Sequence, residues 1–250
     1  MTEGPDDAEA PSATPVLELR GVDAAYGAFR ALFGVSLSVA PGEAVALVGP
    51  NGAGKTTVAR VASGLVAPGS GTVQVDGADM TGRPTYRFAR AGVAHAPEGR
   101  SVFATLTVEE NLTLSIRRIR GRRGVAAGLD AAYEMFPVLR DRRKQVAGTM
   151  SGGEQRMLAL ARVLVDAPKL LVADELSLGL APRIVEQTYA SLALLREAGT
   201  ALLVIEQHVS HALVLCDRVA VLDHGTVGWT GPTEDAGDRV QAFLEVGTPA

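Results

Sequence analysis

The chain has 250 residues, room for one large α/β domain or for one domain with a smaller unit set into it. Hydrophobic residues make up 47% and charged residues 21%, with a net charge of -4, which argues against a general nucleic-acid binder because phosphate neutralisation needs a basic surface. No apolar run approaches the ~18 residues of a membrane span, and the single cysteine, Cys216, excludes an internal disulfide and reads as a buried thiol.

Met1–Pro15 carries four acids and three prolines and lacks the basic-then-apolar order of a secretion signal. It reads as a disordered tail over 1–15, with the folded domain spanning 16–250. Leu17–Arg20 alternates and predicts a first strand, Ala31–Val39 a second. Ala44–Val48 is short and wholly apolar, a buried strand feeding a turn at Gly49, with a helix from Thr56 to about Ser63. Thr72–Val75 and Val93–Ala96 predict further strands. From about Gly99 the texture becomes helical: Val108–Ser115, Ala126–Met135, a break at Pro137, and a long helix opened by Ser151 and running to Leu164. A helical sub-domain over about 99–161 is therefore expected inside an α/β core. Between its first two helices, Arg117–Arg123 holds five arginines in seven residues, read as a solvated connection or as a contact for a membrane partner. Downstream, Leu170–Ala173, Ala201–Ile205, Arg218–Leu222 and Thr226–Trp229 read as strands and Pro182–Leu195 and Ser210–Cys216 as helices. Strands alternating with helices predict parallel βαβ units. His95, His211 and His224 have no metal-like spacing and are assigned structural or exposed positions.

Gly49-Pro50-Asn51-Gly52-Ala53-Gly54-Lys55-Thr56-Thr57 fits G-x-x-x-x-G-K-[ST]. Glycines without Cβ atoms let backbone N–H groups approach an anion. The loop opens a helix, whose N-terminus favours negative charge. Lys55 is placed for β- and γ-phosphates and the Thr56 hydroxyl for Mg²⁺. The chain has only three lysines, which makes Lys55 more telling. About 120 residues downstream, Leu170–Ala173 ends in Asp174 and Glu175. Successive side chains at a strand end point apart. Asp174 can then serve the metal shell and Glu175 the attacking water, the division that phosphoryl transfer requires.

Met150-Ser151-Gly152-Gly153-Glu154-Gln155-Arg156 resembles the Leu-Ser-Gly-Gly-Gln signature of ABC transporter ATPases, and the resemblance runs from about Val16 to Leu244. Pro97-Glu98-Gly99-Arg100, Leu106–Leu112 and Ser177-Leu178-Gly179-Leu180-Ala181-Pro182 are similar to the ATPase subunits of branched-chain amino acid importers. The fold this implies is a P-loop NTPase core of the ABC type, with the helical sub-domain and an antiparallel β sub-domain. The resemblance places Tyr26 on adenine; a core tyrosine is the alternative reading of that residue. It sets Ser151 to Glu154, Ser151 and Gly153 foremost, against the ATP of a second ATPase subunit. Serine followed by two glycines at a helix start is itself an anion nest. Two such chains head to tail would complete each other's sites, as a homodimer or with a different ATPase chain.

Four positions depart from the general pattern. Glu98, ten residues before Val108, stands where most members have a glutamine that touches Mg²⁺. Leu176 replaces a proline and Ala181 an aspartate. The switch histidine lies ten residues before the aspartate of Asp217-Arg218, which gives Gln207; His208 would need a one-residue slip. A glutamine can orient water but carries no proton. The branched-chain subgroup also has glutamine there.

The resemblance implies an ATP- and Mg²⁺-dependent ATPase at the cytoplasmic face of a membrane, docked to permease subunits and served indirectly by a solute-binding protein. The cargo it implies is a branched-chain or related amino acid, or alternatively urea or a short amide. A soluble ABC ATPase without a transport role and a non-hydrolysing subunit are the competing readings.

Overall fold

The computed structural model describes residues 14–97, 102–165, 168–178, 181–207 and 209–237. Two sheets carry the fold. The first is antiparallel, in the order β2-β1-β4-β5, from β1 (Leu17–Tyr26), β2 (Phe29–Val39), β4 (Ser70–Val75) and β5 (Ala78–Asp79). The second has six strands in the order β10-β9-β3-β8-β7-β6. In it β3 (Ala44–Val48), β6 (Val93–Ala96), β7 (Leu170–Asp174), β8 (Ala201–Glu206) and β9 (Arg218–Asp223) run parallel, and β10 (Thr226–Pro232) closes one edge antiparallel.

The central strands β3, β7 and β8 are buried along their whole length, which is why their sequences are nearly continuous apolar runs. Their alternate residues face two separate cores. Ala44, Ala46, Leu171, Ala173, Leu202 and Val204 join the core built with the helices between β6 and β9. Val45, Leu47, Leu170, Val172, Leu203 and Ile205 join the core shared with the antiparallel sheet and α1 (Lys55–Ala62). Pairing of Val48 with Glu206 and of Asp174 with Ile205 aligns the carboxyl ends of these strands on one rim. In open α/β sheets that rim is where ligands bind.

Between β6 and β7 lie α3 (Val108–Arg120), α4 (Val125–Met135), α5 (Pro137–Asp141) and α6 (Gly152–Leu164). Both long helices open on a capping box, Thr107 with Glu110 for α3 and Ser151 with Glu154 for α6, each satisfying two backbone donors reciprocally. Leu112 and Ile116 of α3 are fully buried. Gly128 in α4 is required by the close approach: a Cβ there would lie 2.6 Å from Ile116 Cγ2.

The elements follow the sequence pattern with four differences. β1 runs on to Tyr26, past three register irregularities that break the alternation after Leu19. The arginine run is not a connection throughout: α3 continues to Arg120, and a single 3₁₀ turn, Arg122–Gly124, leads into α4. Pro137 starts a short helix, occupying a first-turn position where its missing N–H costs nothing. α2 (Thr85–Arg90) and β5 were not expected. α7 (Pro182–Glu197) and α8 (Val209–Leu215) fall where the periodicity puts them. Cys216 is buried, as read, and its thiol is pushed up to about 12 mainly by that burial. Among the described residues no helix is long and apolar enough to cross a membrane.

Leu112→Ala should open a cavity where α3 meets the helical core. Urea unfolding is expected to show a loss of about 2–5 kcal/mol with the slope unchanged.

Candidate nucleotide site

The loop from Gly49 to Gly54 leaves the end of β3 and opens α1. Gly52 (φ 81) and Gly54 (φ 105) adopt left-handed backbone that other residues avoid. Gly49 and Gly54 are further fixed by contact: a Cβ on Gly49 would lie 2.1 Å from the Leu222 carbonyl oxygen, and one on Gly54 2.8 Å from that of Ala31. Ala53 is buried and its carbonyl accepts from Gly225 N at 2.9 Å, tying the loop to the turn after β9. Pro50 is half-buried and Asn51 is exposed, while Thr57 is buried at the start of α1.

Lys55 is only 4% exposed. Its Nζ donates to the carbonyls of Gly49 (2.9 Å) and Pro50 (3.0 Å) and lies 3.7 Å from Glu175 Oε1. Burial lowers its pKa, opposed by the carboxylates of Glu175, Asp174 and Glu206. Thr56 Oγ1 donates to Asp174 Oδ1 at 3.5 Å across the rim. A hydroxyl facing a buried carboxylate is a hard-oxygen set suited to Mg²⁺, which keeps several waters and takes its remaining ligands from phosphates. Among the described residues no group of three or more His, Cys, Asp or Glu is placed to hold a metal. Thr56 and Asp174 therefore fit a cation shared with a nucleotide rather than a self-contained metal cage.

Glu175 follows directly, in left-handed backbone (φ 47), with its N–H donating to Ile205 O at 2.9 Å. The sequence thus brings Lys55, Thr56, Asp174 and Glu175 together. Gln207, half-buried, stands one residue beyond the end of β8. Glu98 and His208 lie outside the described residues.

Two residues at this rim were missed. Glu206, 2% exposed, accepts from Ser177 N (3.1 Å), Ser177 Oγ (2.7 Å) and Tyr189 OH (3.0 Å). Arg156 of α6, also buried, donates to the carbonyls of Leu178 (3.1 Å) and Glu175. Each had a signal: Glu206 is the lone acid in an apolar strand, and Arg156 directly precedes the apolar run Met157–Ala161 of α6.

Ser151, Gly152, Gly153 and Glu154 form the start of α6, away from full burial. Ser151 N donates to Glu154 Oε2 at 2.9 Å, and Glu154 Oε1 also meets Arg142 Nη2 at 3.0 Å. Glutamate here, rather than the family's glutamine, serves as a cap and an ion-pair partner. Tyr26 ends β1, 41% exposed, so it is not a core tyrosine; its hydroxyl accepts from Arg60 Nη1 at 3.2 Å. Asp23 secures the same hairpin. Arg30, Ser70 and Gly34 donate to its carboxyl and hold it near 2.

A glycine cradle, a buried lysine and an acid pair on the rim of a parallel sheet define a nucleoside triphosphatase of the phosphate-loop class. The ABC transporter family matches residues 32–177. The high-affinity branched-chain amino acid transport ATP-binding protein BraG of Pseudomonas aeruginosa is 42% identical over 212 residues, 85% of this chain and 91% of the relative. The probable branched-chain amino acid transport ATP-binding protein LivF of Archaeoglobus fulgidus is 35% identical over 215 residues, 86% of this chain and 91% of the relative. A nucleotide-free ATP-binding cassette from an ABC transporter superposes with a TM-score of 0.78 at 25% identity, over 91% of this chain and 95% of that one. The chain belongs to the ABC transporter family, as a nucleotide-binding cassette with ATPase activity.

Beside this site, at β6, His95 packs against α1, with Nδ1 3.3 Å from Ser63 Oγ. Burial, with Arg60 adding to it, lowers its imidazole from 6.5 to about 4. The folded value lies below the unfolded one. Its contribution to stability is therefore complete above about pH 6.5 and is lost as the pH falls towards 4. Urea midpoints taken from about pH 7 down to about pH 5 should fall, and His95→Gln should flatten that slope.

Proposed function

We propose that this chain is the ATP-hydrolysing subunit of an importer for branched-chain or related amino acids, working as one half of a two-subunit nucleotide sandwich. The observation that carries the chemistry is the convergence of Lys55 with Glu175 (3.7 Å) and of Thr56 with Asp174 (3.5 Å) on one strand rim. The cargo rests on the likeness to BraG and LivF, because an ATPase cassette carries no cargo site of its own. Urea or a short amide is the alternative cargo.

In this reading the glycine loop wraps the phosphates with backbone N–H groups, and Lys55 exchanges its carbonyl partners for β- and γ-phosphate oxygens. Mg²⁺, held by Thr56, Asp174 and Glu98, would neutralise phosphate charge. Glu175 accepts a hydrogen bond from water and aims it at the γ-phosphorus, while Gln207 donates to the γ-phosphate and carries no proton. Tyr26 stacks on adenine. Ser151, Gly152, Gly153 and Glu154 close over the nucleotide of the second subunit. ATP then draws the two together and hydrolysis releases them, a population shift passed to permease subunits at the cytoplasmic face.

Glu175→Gln should keep nucleotide binding while steady-state hydrolysis falls by about a hundredfold or more. Lys55→Ala should instead weaken nucleotide binding itself, read by equilibrium titration. Tagged chain recovered from detergent-solubilised native membranes should carry permease chains and a second ATPase, identified by mass spectrometry. Recovery of soluble partners alone would sink the transport reading and leave the soluble ABC ATPase in its place.

A further inference from the structure

Glu175 and the three residues after it are gripped from two sides. The φ of 47 at Glu175 is a backbone state that persists only where neighbours over-determine it. From one side, Arg156 projects from α6 with both guanidinium arms engaged: Nη1 on Leu178 O at 3.1 Å and Nη2 on Glu175 O. From the other, Glu206 at the end of β8 takes Ser177 N and Tyr189 OH on Oε1 and Ser177 Oγ on Oε2. A donor-only side chain holds the carbonyls and an acceptor-only side chain holds the N–H and hydroxyl. Both are nearly excluded from water, at 9% and 2% exposure, where such bonds are stronger and a lost partner is costly. Burial and the neighbouring Glu206 raise the Tyr189 hydroxyl well above its ordinary value, so it stays a donor.

The placement of the two grips matters as much as their number. Arg156 lies five positions after Ser151, on the helix whose start carries the signature residues. Glu206 immediately precedes Gln207. The segment bearing the hydrolytic carboxylate is thus bonded to the signature helix and to the strand that presents Gln207.

We propose that Arg156 and Glu206 are positioning residues that set Glu175 for hydrolysis. Through Arg156 the aim of Glu175 follows the seat of α6, the helix that meets the second subunit's nucleotide. This rests on the reading of Glu175 as the residue that orients water. A lysine at 156 keeps the charge but cannot span two carbonyls three residues apart, because the planar fork is lost. A glutamine at 206 turns an acceptor-only group into one that presents an N–H₂ to other donors.

The test compares full-length wild type with Arg156→Lys, Glu206→Gln and Glu175→Gln. Five quantities are read: kcat and KM for ATP, the Kd of trinitrophenyl-ATP, the thermal midpoint, and backbone amide exchange at Glu175–Leu178. Arg156→Lys and Glu206→Gln should lower kcat by about ten- to a hundredfold through misplacement of the water-orienting group. KM and the probe Kd should stay within about twofold, the pattern of an interaction spent on the transition state alone. Exchange at Ser177 should quicken in both. Wild-type kcat in the folded variants, or a loss explained by the unfolded fraction with exchange unchanged, would overturn the proposal and leave Glu175 as the hydrolytic residue. Wild-type hydrolysis that Glu175→Gln does not diminish would instead overturn the assignment of Glu175, and the positioning role with it.

Discussion

One buried ammonium, that of Lys55, conditions the whole rim. It is 4% exposed in a place where Asp174 and Glu206 are still less exposed and Glu175 stands 3.7 Å away. Burial lowers the pKa of this lysine, and the three carboxylates oppose that. With Arg156 counted beside Lys55, two positive charges stand against the three carboxylates, an acidic excess of one that a polyphosphate would meet as repulsion were it not accompanied by a divalent cation. In the proposed reading, that balance suits a nucleotide that brings its own cation. The polarity of the site is imposed by the parallel register that pairs Val48 with Glu206 and sets Asp174 beside Ile205, one residue back on the same rim.

Much of this was legible before any coordinates. β3 and β6 were bounded to the residue, because short apolar runs ended by glycine or proline admit few other readings. The convergence of the glycine loop with Asp174 and Glu175 followed from motif spacing, since parallel βαβ connections return each strand's carboxyl end to the same rim. What escaped notice was decided by tertiary contact. The charge run read as a connection although arginine is a good helix former, and α3, packed on α4 and α6, continues through it. The bulges in β1 hid its length, because each irregularity resets the alternation on which strand reading depends. Glu206 and Arg156 were missed because sequence shows that a polar residue is buried only through its neighbours, never what it grips.

The departures from the family pattern find different accommodations. Glu154 in place of the signature glutamine becomes half of a capping box and an ion pair with Arg142. Leu176 in place of proline is buried at 4% exposure, packed into the helical core beside the acid pair. Gln207 keeps a hydrogen-bonding head where the family resemblance puts a histidine, beside a carboxylate that already accepts three hydrogen bonds.

The six-stranded sheet divides the interior into two hydrophobic bodies that share no side chain. One is bound to the phosphate loop through α1, whose glycines and small residues have almost no latitude. The other is assembled largely from the helices between β6 and β9, where volume-conserving exchanges such as leucine for methionine cost least. Side chains repacked in the helical body therefore meet the phosphate-loop core through the backbone of the shared strands rather than by direct packing.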